Sequence, residues 1–273
     1  RHNLIEIAHS QQPSGLLSIC APSGADIPIP FFSLVYIVQV YEYLKYSNDY
    51  SLLDEVGNVL DRIVKTFTDK IDSTGLIPSF PYPCWNYYEW SEGSDNGYQL
   101  NVKSNDEYIQ SYDLILSAFY VYAVNLYQEM RKVKIDLNPI KAQIDKTFKR
   151  NGVYILSTIN NQASQFGNAI ALLAGLGDDS LIDKIANDKN MIPATLSTLP
   201  FVYDVLLKDK KYIDFIVNDI KNKYKVMLDA GATSFWETTV GEDDFGGAGS
   251  LCHGWSSMPV YYFHLFGLAK TDK

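Results

Sequence analysis

The chain has 273 residues, a formal charge of −9 and 47% hydrophobic residues, enough apolar material for one large core or two small ones. Its acidic balance, with a pI of about 4.9, is spread along the sequence without a basic stripe, which argues against nucleic acid as a partner. No apolar run approaches the roughly 18 residues that a membrane-spanning helix requires, so no membrane insertion is expected.

The first fifteen residues, RHNLIEIAHSQQPSG, lack the charged-then-apolar layout of a secretion signal, and the chain reads as a mature or excised piece. From there hydrophobic spacing near 3.6 recurs with short breaks, and sustained strand-like alternation is scarce. The spacing predicts helices over Phe31–Tyr46 and Ser51–Thr68, turned by Ser47-Asn48-Asp49, a first helical hairpin. Asp72-Ser73-Thr74-Gly75 closes it and opens a long loop, Leu76 to Lys103, carrying Pro78, Pro81, Pro83, Trp85 and Trp90. A loop of that length is functional or disordered, and its aromatic content argues for function.

Further helices are expected over Asn105–Met130, Asn138–Lys149, Gln165–Leu176, Ser180–Asn187, Leu196–Leu207, Tyr212–Ala230 and Ser256–Ala269. That makes about nine, joined by short turns at sites such as Asn151-Gly152 and Gly177. The pairing is that of an all-α solenoid or α/α toroid treated as a single domain over residues 1–273, with its longer aromatic loops gathered on one face. Asn161 to Asn168, rich in amides, reads as the capped start of a helix.

The 20 Tyr, 13 Phe and 4 Trp exceed what core packing alone would require, and rings with a polar tip suit neutral, hydroxyl-rich ligands such as carbohydrates. Cys20, Cys84 and Cys252 are odd in number and widely spaced, so they read as free thiols, with neither a disulfide framework nor a metal site. No cofactor is expected.

Two stretches concentrate chemistry. In GATSFWETTVGEDDFGGAGSLCHGWSSMPVYYF, Glu237 follows Trp236 just after a helix end, where flanking aromatics partly desolvate its carboxylate, a condition that suits proton transfer. The same residue also reads as a surface or salt-bridged glutamate. His253, in Cys252-His253-Gly254-Trp255, could donate to a sugar hydroxyl or to Glu237, or simply cap the last helix. Glu242, Asp243 and Asp244 read as a solvated loop, because no ligand-spaced His accompanies them. In PCWNYYEWSEGSDNG, the rings of Trp85 and Trp90 could stack on a pyranose while Asn86 and Glu89 bind its hydroxyls. A Trp-anchored structural loop is the other reading.

GATSFWE followed by SLCHGWSSMPVYYF resembles the closing segment of bacterial α-L-rhamnosidases, the six-hairpin glycosidases of glycoside hydrolase family 78 and its relatives. IPIPFFSLVYIVQVYEYLKYSNDY, WNYYEW and SQFGNAIALLAGL are similar in the same order. The resemblance implies an (α/α)6 toroid and inverting hydrolysis of terminal α-L-rhamnosides. It implies Glu237 as the general base, His253 as a sugar contact and the tryptophans of WNYYEW as a wall of the glycone pocket. With Asn86, Glu89 and Trp236 these residues form the expected substrate site. An inverting pair leaves room for a water, so the acid is expected ~6.5–9.5 Å from Glu237.

The family's general acid lies in an acidic, Arg-containing stretch ahead of a Trp-x-Gly-Asp element, and nothing in this sequence matches it. Six hairpins need twelve helices, so about three are missing, and the toroid is expected to be incomplete at its amino end, a carboxyl-terminal part of a longer multidomain enzyme. The alternative places the acid at Glu89, Glu92 or Asp95. A non-catalytic carbohydrate-binding toroid, or a glycosidase for another neutral sugar, are the other functions open. A uronate lyase is disfavoured, because no basic residue falls within the segments singled out. The family implies a periplasmic or secreted setting.

Overall fold

The computed structural model of the protein describes residues 1–23, 27–97 and 111–268. The start of the helix expected at Asn105, the last part of the Leu76–Lys103 loop and the end of the Ser256–Ala269 helix lie outside these residues; residues 111–113, expected to be helical, are extended instead, with Tyr112 bridging Pro78 and Asp113 bridging Ser157.

Among the described residues there are ten α-helices: α1 (His2–His9), α2 (Pro30–Ser47), α3 (Leu52–Lys70), α4 (Leu114–Arg131), α5 (Asn138–Phe148), α6 (Gln165–Leu173), α7 (Ser180–Asn187), α8 (Leu199–Leu206), α9 (Ile213–Asp229) and α10 (Met258–Leu265). The one sheet described is a two-stranded antiparallel hairpin, β1 (Lys149–Arg150) with β2 (Val153–Tyr154). Asn151 and Gly152, both at positive φ (49° and 78°), make its turn. Two successive left-handed residues match the twist of the strands they join.

The helices alternate between two layers. α2 packs on α4, α4 on α6 and α6 on α8, and α10 joins this inner row where the Tyr262 ring meets Tyr203 edge-on at 5.2 Å. α1, α3, α5, α7 and α9 lie outside. Residue chemistry sorts the layers. Inner α4 buries twelve of its 18 residues and inner α6 seven of nine, whereas outer α5 buries three of 11 and α9 five of 17. Helices covered on every side must be apolar around their circumference, and those facing water need only one apolar stripe. This is the all-α architecture of a six-hairpin toroid, with five hairpins described. The count exceeds the nine read from sequence because α1 is only eight residues long and buries only Ala8. A stripe that short does not establish a period.

Much of the tyrosine excess turns out to be architectural. Tyr36 of α2 donates to Leu4 O of α1 at 2.8 Å, and Tyr120 of α4 shares a 2.7 Å hydrogen bond with Thr68 of α3. Tyr203 of α8 donates to Asp219 of α9 at 2.6 Å. All three are essentially unexposed. Each ring fills the inter-layer space and its hydroxyl reaches a partner on the outer helix, so none of these three hydroxyls is stranded. The composition therefore reflects layer stitching.

Two buried polar side chains anchor loops to the inner row. Asn168 in α6 accepts from Tyr154 N (2.8 Å) and donates to Tyr154 O and Ser164 O (both 2.9 Å), while the Ser164 hydroxyl caps α6 by accepting from Gly167 N at 3.0 Å. Asp113, just ahead of α4, accepts from the Tyr88 hydroxyl at 2.9 Å. Burial raises the Asp113 carboxyl from 3.8 to about 6, with the Tyr88 hydrogen bond opposing the rise.

Asn168→Ala leaves the buried Tyr154 N–H and C=O without this partner and is expected to cost about 2–4 kcal/mol, measured by urea unfolding. For Asp113 the folded-state value lies above the unfolded one, so its contribution is complete below 3.8 and is lost as pH rises through about 6. Asp113→Asn removes that loss. Its stability relative to the wild type is expected to grow by about 2–3 kcal/mol between about pH 4 and about pH 7, and a constant difference across that range would contradict the assignment.

Candidate functional site

The aromatic loop is not structureless. Asn86 N donates to Gly97 O (2.9 Å), Asn96 N to Asn86 O (3.0 Å) and Tyr88 N to Ser94 O (2.9 Å), so residues 86–97 fold back on themselves as a short hairpin. Trp85 N donates to Pro28 O at 2.9 Å, which fastens this hairpin to the segment leading into α2. Within it Trp85 and Trp90 flank Tyr87, with ring centroids 5.2 and 4.7 Å from the tyrosine.

Two of the expected sugar contacts are committed elsewhere. Asn86 is buried; its amide accepts from Phe80 N at 2.9 Å and donates to Phe80 O at 2.8 Å. A side chain closed on its own loop backbone has little left to offer a hydroxyl. Glu89 is wholly buried and accepts from Ser91 Oγ (3.0 Å), Thr195 N (2.8 Å), Thr195 Oγ1 (3.0 Å) and Thr198 Oγ1. Four donors occupy it, so in this geometry its oxygens face Ser91 and the threonines ahead of α8. Sequence placed both residues between tryptophans but could not say which way each one faces. Of the other acid candidates, Glu92 is exposed and Asp95 accepts from Trp85 Nε1 at 2.7 Å.

The second stretch folds as a wide hairpin beside the first. Glu237 N donates to Ser250 O at 2.8 Å, and His253 N to Phe235 O at 2.7 Å. Close packing here depends on glycine. A Cβ on Gly249 would lie 1.9 Å from Gly241 O, and one on Gly241 would strike the Trp236 indole at 2.8 Å. Trp236 therefore serves as the cover over Gly241, a structural duty in addition to whatever surface it offers a ligand.

The structure brings Glu237, Trp90 and His253 into one neighbourhood. Trp90 Nε1 donates to Glu237 Oε1 at 3.1 Å, across 147 residues of sequence. Ser250 N approaches Oε2 at 3.4 Å, and Trp255 Nε1 donates to Glu237 O at 2.9 Å. His253 stacks on Trp255 with centroids 3.8 Å apart, and burial lowers its pKa, with the Glu237 charge opposing. The imidazole is thus neutral near pH 7, one nitrogen able to donate and the other to accept. Its Nδ1 is buried without a hydrogen-bond partner, as is the hydroxyl of Tyr87.

Two cavities adjoin these groups. A central one of about 480 Å³ is lined by Phe32, Val35, Glu42, Tyr88, Thr198 and Trp255, among others. A cleft of about 560 Å³ is lined by Trp90, Ser91, Thr195, Thr238 and Phe245. Glu237 lines neither cavity but accepts from one wall residue of each, Trp255 Nε1 at its backbone oxygen and Trp90 Nε1 at its carboxylate. Phe245 was missed in sequence, where Glu242, Asp243 and Asp244 suggested only a solvated loop. Glu242 and Asp243 are indeed exposed, but Asp244 accepts from Thr238 Oγ1 at 2.5 Å. Phe245, held at φ 53°, lays its ring 4.6 Å from Trp90. A non-glycine residue in the left-handed region is strained and marks a place where packing overrides local preference. Tyr87 and Trp255 were visible in the motifs but not singled out.

Among the described residues no group of three or more His, Cys, Asp or Glu could hold a metal ion, and none of their helices is long and apolar enough to cross a membrane. The three cysteines are free; Cys84 is buried, and burial pushes its thiol up to about 11.

No curated protein matches the chain. Among solved structures it is similar to the family 78 rhamnosidase of Bacillus sp. GL1, with a TM-score of 0.74 and 17% identity over 96% of this chain and 29% of that one. It is also similar to a rhamnosidase from Klebsiella oxytoca with rhamnose bound, with a TM-score of 0.71 and 18% identity over 94% of this chain and 52% of that one. The chain thus spans about a third and about half of these two proteins. Residues 1–265 match the family described as the bacterial alpha-L-rhamnosidase 6 hairpin glycosidase domain, and the chain belongs to that family.

Proposed function

We propose that this domain serves a glycoside hydrolase that cleaves terminal α-L-rhamnosides with inversion, Glu237 acting as the general base. The observation that carries the reading is the setting of the Glu237 carboxylate, fixed by the Trp90 indole at 3.1 Å. It stands among aromatic faces beside a neutral histidine whose Nδ1 has no partner. A base that activates water needs a fixed oxygen with accepting capacity left over, and Glu237 Oε2 meets only one long contact, from Ser250 N at 3.4 Å. Rings of Trp90 and Phe245 in the cleft wall offer apolar faces for a deoxy sugar. The rhamnose-bound Klebsiella oxytoca neighbour makes rhamnose the first sugar to test.

The general acid is assigned outside these 273 residues, in a preceding part of a longer enzyme. Occupation of Glu89 by four donors favours this, since it engages the best-buried candidate in the aromatic loop. The same observation favours a second reading, in which the domain by itself binds the sugar without hydrolysing it.

Two α-L-rhamnosides separate the readings, one with a poor leaving group and one with dinitrophenolate, which departs without protonation. The expected outcome is turnover of the activated substrate only, reduced roughly 10²–10⁴-fold in Glu237→Gln. Turnover of both substrates would place the acid within the chain. Rhamnose binding by calorimetry with no turnover of either would support the binding reading, and silence in every assay would mean that this part of the enzyme lacks a complete site or that rhamnose is the wrong sugar.

A further inference from the structure

We infer that Glu89 is a positioning residue, a buried carboxylate that pins the aromatic hairpin to the turn ahead of α8 and thereby holds Trp90 within hydrogen-bonding distance of Glu237. Its importance for catalysis rests on the base assignment above; the geometry it maintains does not.

The argument starts from cost. A carboxylate removed from water is strongly destabilising unless its oxygens are satisfied, and an apolar residue would fill the same space without that demand. Here burial raises the Glu89 pKa while the hydrogen bonds from Thr195, Thr198 and Ser91 act against it. Three donors converge on Oε2, namely Thr195 N at 2.8 Å, Thr195 Oγ1 at 3.0 Å and Thr198 Oγ1, and Ser91 Oγ reaches Oε1 at 3.0 Å. The threonines lie 106 and 109 residues away in sequence, so the carboxylate joins two otherwise separate loops.

The knot is placed where the two cavities meet. Thr198 and Tyr88 line the central cavity, while Thr195, Trp90 and Ser91 line the adjoining cleft. Glu89 thus fixes the partition from inside, with one chain neighbour facing each cavity. Tyr88 is further tied through its hydroxyl to Asp113. Trp90 has its ring contacts and one polar bond, to Glu237. With the Glu89 knot released, the backbone of Trp90 loses the carboxylate tether across to the α8 turn, and the indole can leave the Glu237 carboxylate.

The indole N–H resonances of a ¹⁵N-labelled chain test this directly. Four tryptophans give four signals, Trp90→Phe identifies the relevant one, and Glu237→Gln establishes how far it moves when the carboxylate is neutralised. Glu89→Gln should leave the signal near its wild-type position, because the amide oxygen can face the threonines while its NH₂ donates to Ser91. Glu89→Ala should shift it and make it insensitive to a second change, Glu237→Gln. Thr198→Val, which keeps the shape and removes one donor, should produce a smaller shift in the same direction and decides the matter if Glu89→Ala does not fold.

A folded Glu89→Ala, or failing that Thr198→Val, whose Trp90 signal stays put would overturn the inference, whatever stability is lost. On an activated rhamnoside Glu89→Ala should lose roughly 10–100-fold in kcat. A wild-type chain inactive on that substrate would reject the proposed reaction for this chain by itself and leave the resonance test intact.

Discussion

Inner helices that touch neighbours on every side can hold a polar group only where it finds a partner within the protein. That constraint organises this toroid. It makes the inner row nearly apolar and sends the hydroxyls of Tyr36, Tyr120 and Tyr203 across to the outer helices. The candidate site therefore lies where chain leaves the helices, and its geometry depends on how those loops are held.

They are held by buried polar side chains. Asn86 closes on Phe80, Asn168 on Tyr154, and Glu89 on the turn ahead of α8. Each satisfies backbone or hydroxyl groups that the apolar layers cannot. Around these knots the groups that remain incompletely satisfied stand out: Glu237 Oε2 with one long contact, and His253 Nδ1 and the Tyr87 hydroxyl with none. Unpartnered hydroxyls also occur at Ser94, Ser117 and Ser256, Ser117 within inner helix α4, so lack of a partner marks the candidate site only together with its position beside Glu237.

Strain and glycine complete the arrangement. Gly241 and Gly249 let the two limbs of the Glu237 hairpin approach to a distance that any side chain would forbid. Phe245 accepts a left-handed backbone so that its ring can meet Trp90. These are local costs carried by a rigid helical frame, and they fall in the segment that presents the carboxylate.

Sequence alone determined the helical layers, since an apolar face recurs every 3.6 residues whatever the helix later touches, and it determined the Ser164 cap and the Asn151-Gly152 turn, which depend on neighbours in the chain. It also marked Glu237, Trp90 and His253 as candidates through a resemblance spread along the chain. Only the tertiary structure decided that Trp90 meets Glu237 across 147 residues, that Glu89 and Asn86 face inward, and that Phe245 joins an aromatic wall. Contacts of that span depend on how the layers stack and the loops close over them. The direction of one side chain between two tryptophans leaves no trace in local spacing.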